Sequence, residues 1–299
     1  MFKSLMLYRL GPGWPATADE LAQALAAEPF APCSATQQKS TGWVPPRGVE
    51  HGALVEVVDG QWIARMTIET KAVPGDAVRR KVAEEAARIE QQQGRKPGKK
   101  ELRDMRDDAL MALLPHAFPR QKGITVWIDP ATRIMVLDAA TQSAAEEVIT
   151  SLVRVAGQGF GVSMLQTATS PQAAMAAWLA DEEDSVLPQA FHIERECELK
   201  ASGDKPARVR FDQHNICTEE VRQHIREGKL PAKLAMGWQG GVYFTLTKKM
   251  QIKSIFIDNN KASSATDEYE RFDSDVALFT GTMRQMLPKL FDVMGGIKE

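Results

Sequence analysis

The sequence predicts an α+β fold with mixed, mostly antiparallel sheets. Two hydrophobic runs, residues 53–58 and 62–68, flank Asp59-Gly60, the strongest short hairpin signal in the chain. Two more, residues 124–129 and 133–138, flank a turn at Pro130. The helix signals stand apart from these hairpins and do not alternate with single strands, which argues against a βαβ order.

Residues 2–10 read as an opening strand. Thr17 and Glu20 then form a capping box for a helix through Leu21 and Leu25. Gly42-Trp43-Val44-Pro45-Pro46 reads as a turn. After the first strand pair a helix begins near Asp76, carries Val78, Val82, Ala86 and Ile89 along one face, and stops at Gly94. A second helix puts Leu102, Met105, Ala109 and Leu113 on one stripe and ends at Leu114-Pro115. The two predict a protruding helical hairpin, residues 76–114. The second strand pair leads into a helix capped by Ser143 and Glu146, with Val148, Leu152 and Val155 on its apolar side. Ser170-Pro171 opens another, with Ser as cap and Pro at the first helical position. Strands at 191–199, 207–211, 242–247 and 252–257 follow, with a helix at 218–227 and a last one at 276–294 in which Pro288 is a kink point. Gly42-Trp43 and Gly237-Trp238 each precede a strand. The acidic stretch 181–184, followed by Pro188, divides the chain into an N-terminal region, 1–180, and a C-terminal region, 181–299.

Composition narrows the function classes. With 43% hydrophobic and 25% charged residues the chain is that of a folded protein. The first ten residues are cut by Lys3 and Arg9 and lack a cleavage site, so they read as neither signal peptide nor membrane span. Cys33, Cys197 and Cys217 form no framework, which suggests a reducing cytoplasm. No Walker A sequence is present, and Gly157, Gly159 and Gly161 follow a predicted helix, as a helix exit does. His192 with Cys197, and His214 with Cys217, do not have zinc-site spacing. Asp107-Asp108 are neighbours that cannot converge on one ion, and they and the acids at 267–275 read as solvated faces. Nothing here makes a positive case for an enzyme, a metal or a cofactor.

Charge placement is more informative. A net charge of −2 and a pI near 6.3 require any nucleic-acid surface to be a local patch. Between Gln92 and Gly123 eight Arg or Lys face four acids, and Arg95, Lys96, Lys99 and Lys100 crowd around Pro97-Gly98 with no acid between them. Arg103, Arg106 and Lys122 extend the positive character. Arg95 and Lys96 suit a helix C-terminus, whereas Lys99 and Lys100 open the next helix, where cations are disfavoured. That local cost points to an external anion, and mobile cations at an exposed tip can neutralise phosphates and release counterions. The competing reading is a merely solvated loop. Few aromatics lie nearby, so stacking on single strands is not suggested.

GWVPP at 42–46, ALLPHAFPR at 112–120, WID at 127–129, EGKLPAKLAMGWQ at 227–239 and RFDSD at 271–275, in this order, resemble the bacterial recombination-associated RdgC family over essentially the whole chain. The resemblance implies a cytoplasmic, nucleoid-associated protein that binds duplex DNA with little sequence preference and antagonises the RecA recombinase. It implies an elongated, curved subunit of a ring-shaped homodimer with DNA in its basic hole, and no catalysis. Phe118 matches an apolar dimer contact of the family. Lys229 and Lys233 match its basic positions, and Arg95, Lys96, Lys99 and Lys100 its basic tip. Where the family leads one to expect paired lysines before the CTEE helix, this chain has Phe211-Asp212-Gln213, and Arg208 and Arg210 are the nearby substitutes.

Overall fold

Strands from both ends of the chain join in one antiparallel sheet. The computed structural model describes residues 2–157, 159–181, 187–203, 206–239, 241–258 and 268–298. The acids at 182–184, most of the expected boundary, and the stretch 259–267 lie outside the described residues. The N-terminal part contains β1 (Ser4–Leu10), α1 (Ala18–Leu25), β2 (Lys39–Val44), β3 (Val55–Val58), β4 (Gln61–Lys71), α2 (Gly75–Gln93) and α3 (Lys99–Leu113). A single 3-10 turn, Leu114–His116, leads into β5 (Pro119–Asp129), followed by β6 (Ile134–Asp138), α4 (Gln142–Ala156), β7 (Val162–Met164) and α5 (Pro171–Ala180). The remainder is β8 (Phe191–Lys200), β9 (Arg208–Phe211), α6 (Glu219–Arg226), β10 (Leu230–Trp238), β11 (Val242–Thr247), β12 (Gln251–Ile257) and α7 (Glu268–Asp292).

The strand order is β2-β4-β5-β6-β1-β12-β11-β10-β8-β9, with β3 on β4 and β7 on β1. Both sequence hairpins form: Asp59 and Gly60 take positive φ between β3 and β4, and β5 pairs with β6. Strand β1 is central, held by β6 on one side and β12 on the other. Its side chains alternate between two cores, as a pleated strand requires. Met6, Tyr8 and Leu10 enter a core with Leu21 and Leu25 of α1 and Val148 and Leu152 of α4. Leu5 and Leu7 face the other way, into a core shared with α5, α6 and α7. There Phe279 of α7 stacks on Phe2 with centroids 4.4 Å apart and meets Trp127 edge-on. Helix α7 continues through Pro288 and starts earlier than its apolar pattern predicts. Among the described residues no helix is long and apolar enough to cross a membrane.

Three local expectations need correction. Gly42, Trp43 and Val44 belong to β2 and pair with β4 in register; they are not a turn. The extended segment at 28–30 runs beside β2, with the Trp43 amide donating to the Glu28 carbonyl and the Phe30 amide to the Trp43 carbonyl. Only glycine fits at 42, because a Cβ there would lie 2.4 Å from the Phe30 Cα. Gly42→Ala is therefore expected to destabilise the fold by about 1–3 kcal/mol, read as a lower denaturant midpoint with an unchanged slope. An unchanged midpoint would show that segment 28–30 yields at no cost.

Likewise Gly237-Trp238 lie inside β10, which the sequence conceals behind Pro231 and Gly237. The proline sits next to a register irregularity between β10 and β8, where a ladder amide is dispensable. Gly237 gives room to the His192 ring, which would lie 2.1 Å from a Cβ. Finally, α4 is capped by Thr141 and not Ser143: the Thr141 hydroxyl accepts from the Ala144 amide at 3.3 Å. Thr141 is the residue still in extended conformation, as an N-cap must be.

Candidate nucleic-acid interface

The basic stretch joins two consecutive helices that contact each other. Gly94 ends α2 in the left-handed conformation (φ 67°), its amide donating to the Glu90 carbonyl. Gly98 then caps α3, so Lys99 and Lys100 occupy its first two positions, as the sequence predicts. Both are exposed, as are Arg95, Lys96 and Arg103.

The four tip cations are not equivalent. Arg95 forms a two-pronged hydrogen bond to Glu101, at 2.8 and 2.9 Å, and the Gly98 amide donates to the same carboxylate at 3.1 Å. These bonds, Arg95 first and Gly98 second, hold the Glu101 carboxyl down at about 2. Lys96 lies 3.9 Å from Glu90. Lys99 and Lys100 have no ion-pair partner among the described residues, so the cations at the helix start, where the dipole repels them, are also the unpaired ones.

Glu101 gives the turn a pH dependence. Its folded value lies below the ordinary 4.5, so its stabilisation is complete above that value and is lost as pH falls towards 2. Protection factors at the Gly98 and Leu102 amides, taken relative to intrinsic exchange at each pH, should fall as pH drops across that window and stay level between pH 5 and 8. Uniform protection down to pH 2 would mean that the Arg95–Glu101 pair does not hold the turn.

Phe118 sits immediately before β5, between the 3-10 turn and Pro119, and is 90% exposed. Lys122 is exposed further along β5, opposite Ile68 of β4. The tip helices and Phe118 thus arise where the chain leaves β4 and re-enters β5.

A second set of cations lies beyond β6, β1, β12 and β11 in the strand order. Cys197, Leu199 and Leu234 point into the core, so Glu198, Lys200 and Lys233 point to the opposite face. Arg208 and Arg210 on β9 are in register with Lys200 and Glu198, and Lys233 on β10 is in register with Glu198. Glu198 becomes a hub: its carboxylate lies 2.8 Å from Lys200 Nζ, 3.4 Å from Arg208 Nε and 3.4 Å from Lys233 Nζ. Burial opposes its ionisation, but the adjacent ammoniums of Lys200 and Lys233 outweigh burial and hold the carboxyl below its ordinary range. Arg210, Lys233 and Lys253 line a depression of about 220 Å³ beside it.

Lys229 is placed differently. Its ammonium is 2.9 Å from Glu227 and 2.8 Å from His224 Nδ1, and only 18% of its side chain is exposed. Lys200, Lys253 and Glu198 are the members that sequence reasoning missed. The alternation Glu196, Glu198, Lys200 against Cys197 and Leu199 was the available signal. Among the described residues no group of three or more His, Cys, Asp or Glu could hold a metal ion.

Residues 1–297 match the sequence family described as "Putative exonuclease, RdgC". The chain belongs to the RdgC family. Proteins named recombination-associated protein RdgC are similar over nearly full length. The one from Dechloromonas aromatica is 40% identical, covering 99% of this chain and 97% of its own. That from Herminiimonas arsenicoxydans is 38% identical, covering 99% and 98%. That from Bordetella pertussis is 35% identical, covering 99% of both. RdgC membership therefore associates the chain with recombination, and the two cation sets are its prominent polar features outside the cores.

Proposed function

We propose that this chain is a non-enzymatic protein that binds duplex DNA through phosphate contacts, with little sequence preference, and so restrains RecA-dependent recombination in the nucleoid. The observation that carries this reading is the concentration of cations at two separate places, the 95–103 tip and the Glu198-centred row, in a chain whose net charge is −2. Cations gathered in this way neutralise a regular polyanion and do not distinguish bases. The recombination-associated names of the relatives support DNA as that polyanion.

In this reading two subunits form a ring around the duplex. Each subunit is elongated and curved. Its region 1–180 supplies a protruding helical hairpin and the Phe118 contact to the second copy, and its region 181–299 supplies the basic row. The exposure of Phe118 supports a partner surface, because a free Phe ring leaves apolar area in water.

Titrating duplex binding against salt tests the reading. Log K should fall linearly with log salt, with a slope of about −0.9 per phosphate contact. A flat response would favour instead a factor that acts on the recombinase protein directly. Incubating the complex with magnesium and duplex should leave the DNA intact, and shortened strands would establish a nuclease.

A further inference from the structure

We infer that Glu198 is an internal competitor for phosphate: it gathers Lys200, Arg208 and Lys233 into one cationic cluster and, by its own charge, limits how tightly that cluster holds a nucleic-acid backbone. The inference rests on the duplex-binding reading above. Three cations drawn from β8, β9 and β10 would repel one another if brought together alone. A carboxylate beneath them removes that cost, and Glu198 is placed for it, with only 8% of its side chain exposed while Arg208 and Lys233 remain 62% and 51% exposed. The anion lies on the inner side of the cluster and the cations lie between it and solvent.

Each cation keeps donors that Glu198 does not use. An ammonium has three, and Arg208 carries five N–H donors, of which Nε comes within 3.4 Å of Glu198. A phosphate oxygen approaching from solvent meets donors already arranged for an oxyanion, because carboxylate and phosphate accept the same charge-assisted hydrogen bonds. It also meets the field of a fixed negative charge. The four groups together carry a net positive charge of two, and the neutral form of the hub would leave three. Arg210 and Lys253 add to this field from the walls of the same depression, and Glu196 opposes it.

Glu198→Gln separates charge from shape, since the amide keeps its size and a carbonyl acceptor for Lys200. The variant should bind duplex roughly threefold more tightly at low salt, the effect of removing one charge several ångströms from a phosphate in a high effective dielectric. Its log–log salt dependence should steepen by up to about one unit as one more phosphate contact is made. Glu198→Asp, which keeps the charge, should show no gain. Unchanged or weaker binding by a Glu198→Gln protein of normal thermal stability overturns the inference, as does an equal gain by Glu198→Asp. Should Glu198→Gln fail to fold, Glu196→Gln, at an exposed position lining the same depression, must shift affinity in the same direction, and its failure to do so is equally decisive. A wild-type protein that does not bind duplex at any salt sinks the DNA-binding reading itself, whereas wild-type binding with no gain in the variants sinks only the role of Glu198.

Discussion

Replacing Lys99 and Lys100 together by Ala is expected to weaken duplex binding roughly thirtyfold near 0.15 M salt and to flatten the log–log salt slope by about 1.8, the loss of two phosphate contacts. The effect should be the same for every duplex sequence, because backbone contacts carry no base information. These two lysines are chosen over their neighbours on structural grounds. Arg95 is committed to Glu101 and Lys96 lies near Glu90, whereas Lys99 and Lys100 have no ion pair among the described residues. Both stand at the first turn of α3, where the helix dipole opposes them and Ala is the better helix former. The double variant should therefore unfold slightly later than wild type while binding worse, two opposite signs that a general structural defect cannot produce. A wild-type salt slope in the variant would leave the tip as a solvated loop.

Phe118→Ser is expected to leave the subunit fold intact and to cost about 2 kcal/mol or more at a subunit contact, roughly thirtyfold in that contact's affinity. The side chain is 90% exposed, so its removal creates no cavity within the subunit. Any large effect must arise from association. In a ring closed by two different contacts, weakening one opens the ring while the other still joins two copies. The variant should sediment as a dimer yet dissociate from closed circular duplex much faster than wild type, with its lysines untouched. Sedimentation together with dissociation kinetics on circles decides the outcome. Monomers would mean that this contact alone carried the dimer, and unchanged dissociation would mean that encirclement, or the placement of Phe118, is wrong.

The legible parts of the fold are those whose physics is local. Asp59-Gly60, the Gly94 stop and the Ser170-Pro171 opening each depend on residues within one turn or one hairpin, and each is realised. The stripes of α2 and α3 are covered only in part, with Val78 and Ala109 buried and Leu102 exposed. Strands β2 and β10 were not legible because Gly42 and Gly237 answer to segments distant in sequence, Phe30 and His192. Taken alone, a glycine in a strand looks like a turn. The site divides in the same way. The tip is contiguous and could be read directly, whereas the row around Glu198 exists only through the register of β8, β9 and β10, which no spacing in the chain announces. Arg208 on β9 and Lys233 on β10 are legible only singly, from the family resemblance; register brings both to the one Glu198 carboxylate.

The central position of β1 also constrains how the protein is made. Its partners are β6, about 130 residues later, and β12, about 250 residues later, as the pairs Leu5–Asp138 and Leu5–Ile252 show. At a ribosomal rate of about 5–20 residues per second, the first strand leaves the exit tunnel many seconds before its last partner exists. Throughout that interval the Ser4–Met6 part of this apolar strand has an unsatisfied edge, the kind that templates unwanted pairing between nascent chains. The half of the sheet built on β4, β5 and β6 can shelter one edge of β1 early, and β7 can cover Tyr8–Leu10 of the other; its Ser4–Met6 part must wait for β12. Premature truncation after β6 should therefore yield a product that aggregates through β1, and productive folding waits for the synthesis of β12.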